Sequence, residues 1–290
     1  AHAEGKFVPR DAAVLAKLPV TYAQAEEDGT VDELSWPDTC DPETGKVAIP
    51  TLYAPPCVPE FEGDNGGDVG IGVTADTIRV VRYIPSPNGD LTALLQSSLD
   101  PEELQAETQR AYVEMLSGMY ETYGRKVEVI DFQATGADEV AAKADAVAVA
   151  EEIQPFASLG GPGLTQAYAE ELASRGVLCF GCGISAPDSR YQELAPYLWG
   201  ASQTPEQFLV NLGDYITNRL MGEPAQFAGE ELASKERVFG VVHFEQDPPV
   251  FGDVEAMAAE EGGARGYESV VNLTYQLVIS DLPEKARVIV

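Results

Sequence analysis

Residues 155–187 read PFASLGGPGLTQAYAEELASRGVLCFGCGISAP, and the order of signals in this stretch decides the fold. Pro155–Leu159 is a short apolar run bounded by glycine, as a buried strand is. Gly160-Gly161-Pro162-Gly163 breaks it. Leu164–Arg175 then carries apolar residues at helical spacing, and Gly176 supplies a left-handed stop. Val177–Phe180 is apolar again and runs into a second glycine-rich turn, Gly181–Ser185. Strand, helix and strand joined by short connections make a βαβ unit, which requires parallel strands.

The alternation extends upstream. Thr77–Ile84 is β-branched and apolar, which predicts a strand. Asp100-Pro101-Glu102-Glu103 predicts a helix start: Asp caps, Pro fits the first turn, and early acids suit the positive helix end. Leu104, Tyr112, Met115, Leu116, Met119 and Tyr123 recur at helical spacing until Gly124 stops the helix. Lys126–Phe132 reads as a further strand and Asp138–Ile153 as an Ala/Val-rich helix. The fold class is therefore α/β, a parallel sheet with helices on both faces. Ligands of such sheets lie beyond the carboxyl ends of the strands. Here those ends are Pro85–Asn88, Gln133–Gly136, Gly160–Thr165 and Gly181–Ser185.

Downstream, Thr204-Pro205 opens a helix carrying Phe208, Leu212, Ile216 and Leu220, and residues 221–236 are loop-like. Arg237–Phe244 predicts a strand, and Phe251–Glu261 a helix ended by Gly262-Gly263. Val271, Leu273, Tyr275, Leu277 and Ile279 alternate as a strand with one buried face does. Ser280-Asp281-Leu282-Pro283 opens one more helix before Val290. Two strands with little to cover them make a poor independent domain. The expected organisation is an irregular Pro-rich extension and linker (1–70), a first α/β lobe (71–203) and an incomplete second lobe (204–290).

The 290 residues hold 18 Lys+Arg against 48 Asp+Glu, a net charge of −30. A hydrophobic share of 44% excludes a disordered acidic polymer. The charge argues against nucleic acid, whose partners present a basic stripe, and against an anionic membrane surface. No apolar run reaches the roughly 18 residues that span a bilayer. The start, Ala1-His2-Ala3-Glu4-Gly5-Lys6, lacks the apolar core of a signal peptide, so the chain is either cytosolic or begins after cleavage. Cysteine usage favours an oxidising compartment. Cys40 and Cys57 flank a Pro-rich loop without a histidine nearby, which suits a disulfide staple better than a metal site. Cys179 and Cys182 form a second close pair, as a static disulfide or two buried thiols. A redox site is the lesser reading, because Cys179 falls inside a strand and not at a helix start, where thiols acidify.

In order, these segments resemble the type I periplasmic solute-binding family, the leucine/isoleucine/valine-binding-like components of ABC importers. Gly72-Val73-Thr74-Ala75-Asp76-Thr77-Ile78 resembles its opening strand motif. Gly161-Pro162-Gly163-Leu164-Thr165 resembles the turn after its third strand, and Phe180–Pro187 the segment after its fourth. Tyr197-Leu198-Trp199 and Phe251-Gly252 match two further landmarks, and the likeness covers about residues 70–290. It implies a two-lobed clamp that binds a small solute without turnover. It also implies an extracellular or cell-surface location, ABC-transporter membrane subunits as partners, and no cofactor. Members of the family usually continue beyond the point where this chain stops. The extension with Cys40 and Cys57 is not general to the family; similar N-terminal pieces are associated with actinobacterial members.

The resemblance gives Thr165, Gly183 and Ser185 a role in holding a ligand carboxylate and amine. The residues themselves are suited to it. Gly163 and Thr165 open a helix, where free amides and the positive dipole end attract a carboxylate, and Gly lets a ligand approach the backbone. An ordinary βα turn with a Thr cap is the plainer reading. Phe251 stands where an aromatic covers the ligand, or starts a helix as a core residue. Tyr83 and Asn88, at the end of the first strand, are further candidates, against strand packing and a turn. Glu62-Gly63-Asp64-Asn65-Gly66-Gly67-Asp68 is a linker whose oxygens fall short of a calcium loop, since the closing bidentate Glu is missing. His243, Glu245 and Asp247 would share a strand face, more as a solvated edge than as a metal site. Gly161–Gln166 lacks the third glycine of a dinucleotide fingerprint. With only two histidines and no nucleophile elbow, an enzyme is disfavoured. The expectation is a solute-binding importer component for an amino acid or similar small carboxylate. The alternative is a secreted interaction or structural protein that keeps the fold without the clamp and self-assembles through its extension.

Overall fold

The computed structural model describes residues 19–87, 99–163, 165–183, 186–235, 237, 239–245 and 271–276. The chain divides into two units. One comprises residues 1–69, 74–77 and 102–127, and the other residues 70–73, 78–101 and 128–290.

The first unit is better ordered than a Pro-rich linker predicts. It contains a helix, α1 (Tyr22–Asp28), started by a capping box in which Thr21 and Gln24 satisfy each other's backbone amides. Gly29 closes it in the left-handed conformation. The reading of residues 1–70 as irregular passed over this helix because its seven residues carry no long apolar period. Two short strands, β1 (Cys40–Asp41) and β2 (Lys46–Val47), pair antiparallel. The Cys40–Cys57 disulfide, Cα atoms 5.7 Å apart, ties the hairpin to the following loop. The Tyr22 amide donates to the Cys57 carbonyl at 3.0 Å, and the Tyr22 ring meets Trp36 edge-on at 4.9 Å. The small core is thus stapled rather than large, as short segments require. The second helix, α2 (Glu102–Ser117), stops before the predicted Gly124. Ser117-Gly118 has low helix propensity, and the amides of Met119 and Tyr120 both turn back to the Leu116 carbonyl. The chain then passes through Tyr123 and Gly124 at positive φ.

The second unit is built on a five-stranded sheet of order β4-β3-β5-β6-β7. Its strands are β3 (Thr77–Ile84), β4 (Lys126–Gln133), β5 (Ala157–Leu159), β6 (Leu178–Phe180) and β7 (Leu198–Trp199). β3 pairs parallel with β5, β5 with β6, and β6 with β7. Between them run α3 (Glu139–Ala148), α4 (Ala167–Ser174) and α5 (Asp188–Glu193). α5 and β7 have no counterpart among the predicted elements, being too short for periodicity to show. α3 is capped by Asp138, whose carboxylate accepts from the Ala141 amide, and widens into a π-turn over Val149–Ile153. Parallel register sets Val81, Ser158, Cys179 and Leu198 in one row, all buried, under Ala142, Ala146 and Val149 of the α3 segment and Tyr168 and Leu172 of α4. The next row, Arg82, Leu159, Phe180 and Trp199, faces the other way, because side chains alternate along a strand. Gly72 locks the entry to β3. At φ +69°, a Cβ there would overlap the backbone of Pro155 and Phe156, so only glycine fits.

Beyond the sheet, Thr204 caps α6 (Pro205–Tyr215), with Pro205 in its first turn as the sequence predicts. β8 (Gly240–Glu245) and β9 (Val271–Gln276) pair parallel. The helices predicted from Phe251 and Ser280 lie outside the described residues.

Candidate functional site

The carboxyl ends of β5 and β6 carry two glycine-rich loops, Gly160–Thr165 and Gly181–Gly183, side by side. Their support is a buried polar chain. Ser158 Oγ and Tyr168 Oη lie 2.9 Å apart, and Ser158 Oγ also reaches the Gly160 carbonyl at 3.3 Å. The Tyr168 ring packs 4.7 Å from that of Tyr83, which in turn stacks on Phe132 at 6.3 Å. Burial pushes both phenols well above the ordinary tyrosine range. For Tyr83 the Asp145 charge adds to the shift, and for Tyr168 the Ser158 hydrogen bond opposes it. Asp145 itself is fully buried and accepts from the Thr135 amide at 3.1 Å and hydroxyl at 2.7 Å, fixing the loop after β4. Gln133 Nε2 donates to the carbonyls of Ile84 and Pro85 and fixes the end of β3.

Gly163 is exposed, with open space where a Cβ would be. Thr165 is half-buried, and its hydroxyl accepts from the Ala167 amide at 3.2 Å, opening α4. The Arg190 guanidinium reaches this first turn, donating to Gln166 Oε1 at 3.1 Å and pairing with Glu170 and Glu193. Gly183 is buried. Its carbonyl accepts from Tyr191 Oη at 2.7 Å, and a Cβ there would press on Ala186 and Leu198. Tyr83 is 6% exposed, so its ring is a packing element while its carbonyl end faces the loop of Gly160. Asn88, Ser185 and Phe251 lie outside the described residues. The structure therefore brings Gly163, Thr165 and Gly183 to one edge of the sheet.

Sequence reasoning missed Ser158, Tyr168, Tyr191, Thr135 and Asp145. Asp145 carried a usable signal: it stands among Ala142, Ala146 and Val149 on the apolar stripe of its helix, where an unpaired acid is costly. Phe180 and Trp199, named above only as parts of the segments that carry the resemblance, had no role assigned. They end β6 and β7, are 39% and 41% exposed, and stack on each other at 6.3 Å.

The Cys179–Cys182 pair is a disulfide with Cα atoms 5.7 Å apart, and both residues are buried. Gly181, at φ +71°, makes the turn that the bridge requires. In the Asp64–Asp68 loop the carbonyls of Asn65 and Gly67 are held by Arg125 Nη2 at 2.7 and 3.1 Å, while its Nε takes the Thr74 carbonyl. The side-chain oxygens of the loop turn onto backbone amides: Asp64 Oδ1 accepts from Gly66 at 2.9 Å, Asn65 Oδ1 from Gly67 at 3.0 Å and Asp68 Oδ1 from Ala75 at 3.2 Å. Among the described residues no group of three His, Cys, Asp or Glu could hold a metal, and no helix is long and apolar enough to cross a membrane.

No family model and no curated protein matches the chain. Solved structures do. A solute-binding protein of an ABC transporter from Rhodopseudomonas palustris, in complex with 3,4-dihydroxybenzoic acid, is 19% identical at a TM-score of 0.50, over 73% of this chain and 51% of that one. A second from R. palustris, with 4-hydroxybenzoate, is 16% identical at 0.51 over the same shares. A periplasmic binding protein from Burkholderia mallei is 16% identical at 0.50, over 72% of this chain and 49% of that one. The chain has the α/β fold of type I periplasmic solute-binding proteins and spans about half the length of the structures it matches.

Proposed function

We propose that this chain belongs to an extracellular solute-binding component of an ABC importer that binds a small carboxylate without chemistry. The observation that carries the reading is the pair of glycine-rich loops at the carboxyl ends of β5 and β6, with Gly163 open and Thr165 at the start of α4. Backbone amides at a helix start recognise a carboxylate through short-range hydrogen bonds. Gly163, Thr165 and Gly183 are the described members of this site, and Tyr83, Asn88, Ser185 and Phe251 are its further candidates. The benzoate ligands of two neighbours make aromatic acids the first compounds to try, with branched-chain amino acids beside them. Membrane subunits of a transporter would be the partners, and the residues 71–203 and 204–290 its two lobes.

The test is calorimetry on the folded protein with 4-hydroxybenzoate, 3,4-dihydroxybenzoate, leucine and isoleucine. Binding of at least one is expected, with Thr165→Val weakening it about tenfold, the worth of a hydrogen bond to a charged group. Absence of binding across the set would sink the proposal.

A second reading is favoured by the first unit. Leu52 and Tyr53 are each 92% exposed on a turn inside the Cys40–Cys57 loop, and α2 bears an open, mostly apolar groove of about 350 Å³ lined by Leu104, Glu107, Thr108, Ala111, Tyr112 and Met115. Such apolar surface suits an interaction protein that self-assembles. A monomer by sedimentation at physiological salt counts against that reading.

A further inference from the structure

We propose that the Cys179–Cys182 disulfide is a positioning element that sets both ligand-facing loops at once; the inference rests on the binding role proposed above. Cys179 lies within β6, paired in register with Ser158 of β5 and Leu198 of β7, so one end of the bridge is fixed by the sheet. The other end, Cys182, leaves the sheet after a turn whose Gly181 amide donates to the Trp199 carbonyl at 2.8 Å. Cys182 Sγ stands 3.0 Å from the Gly160 carbonyl oxygen. A bridged sulfur carries no proton, so this is a packing contact. A Cβ on Gly161 would stand 3.1 and 3.2 Å from Cys182 Cβ and Cα, and 3.2 Å from the Tyr168 ring. Cys182 therefore fills the space directly beneath Gly160-Gly161.

Both candidate segments depart from this one contact. Gly163 and Thr165 follow Gly161 by two and four positions, and Gly183 follows Cys182 directly. Tyr168 closes the arrangement from below through Ser158, whose hydroxyl also reaches Gly160. Holding Cys182 to Cys179 thus holds the two loops in mutual register, and preorganised donors lose less entropy on binding. The short span of the bridge favours a local role over a global one. Its cysteines are separated by 3 positions, against 17 for Cys40–Cys57, and a disulfide restrains the unfolded chain less as the closed loop shortens.

The experiment compares the oxidised protein with Cys179→Ala/Cys182→Ala and with Cys179→Ala alone, which keeps the Cys182 sulfur in place without the bond. Amide exchange at Gly160 and Gly181, whose amides donate to the Phe180 and Trp199 carbonyls, is read against the amides of α3. The expected result in both variants is exchange faster by about tenfold or more in the two loops, unchanged protection in α3, and about tenfold weaker binding of 4-hydroxybenzoate. If the loops exchange at the oxidised rate, or loosen without loss of affinity, the proposal is overturned. It is equally overturned if exchange rises throughout the unit or if neither variant folds, since the bridge would then be a general staple. If the oxidised protein binds neither 4-hydroxybenzoate nor any other compound tried, the binding role fails, while the exchange data alone still decide whether the bridge sets the loops.

Discussion

Arg125 shows how much one residue can organise. It is 8% exposed and binds three backbone carbonyls, those of Asn65, Gly67 and Thr74, with no carboxylate on its guanidinium among those bonds. Arg125→Met leaves three acceptors without their donor and should cost about 3 kcal/mol in urea titration of the first unit's signals. Arg125→Lys should recover little of this, because a point charge cannot span the three oxygens. The buried phenols Tyr83 and Tyr168 give a pH prediction. Burial raises both above the ordinary value, so the folded state holds its protons longer than the unfolded state. Stability from these groups is complete below pH about 10, the unfolded tyrosine value, and is lost as pH rises beyond it. Thermal unfolding from pH 9 to 12 should show that fall, with a shallower slope in Tyr168→Phe. An equal slope in the variant would refute the assignment.

At the scale of elements, α3 depends on two acids with different duties. Asp138 caps its start from the surface, and Asp138→Ala should cost about 1 kcal/mol. Asp145 ties the helix to Thr135 from inside, and Asp145→Ala removes two hydrogen bonds to a fully buried carboxylate and leaves a gap under the helix, for an expected loss of about 3 kcal/mol by chemical denaturation. A loss at Asp145 no larger than that at Asp138 would contradict this ranking. The elements themselves were largely legible. Thr77–Ile84 was found to the residue, and the parallel sheet followed from the alternation around it, because buried strands and capped helices write their signals locally. α1, α5 and β7 were not legible, since two to seven residues cannot display a period and are held by tertiary contacts instead. The strand-end loops of the candidate site were legible, and the network that supports them was not. Gly163, Thr165 and Gly183 stand at strand ends, where topology puts ligands. Ser158 and Tyr168 meet only because β5 and α4 are adjacent, a contact that no local pattern encodes.

For the molecule as a whole, the net charge of −30 works against any anionic ligand at long range and is screened within about 10 Å at ordinary salt. On the proposed reading, recognition of a carboxylate would come from amides a few ångströms away, which would place unusual weight on how rigidly the loops are held. The first unit raises a different issue of covalent connectivity. Leu52 and Tyr53, each 92% exposed, sit between Cys40 and Cys57, so a protease with a taste for apolar and aromatic residues meets them unhindered. Cleavage after either residue severs the main chain but not the molecule, because the bridge spans the cut. Peptide mapping after brief chymotrypsin treatment should find the segments on either side of Leu52–Tyr53 joined without reductant and separate with it, whereas a cut at the equally open Phe227 leaves pieces that no bridge joins. Recovery of the Leu52–Tyr53 stretch uncut under both conditions would mean that the turn is shielded. That geometry makes an open main-chain bond one whose loss leaves both fragments in place.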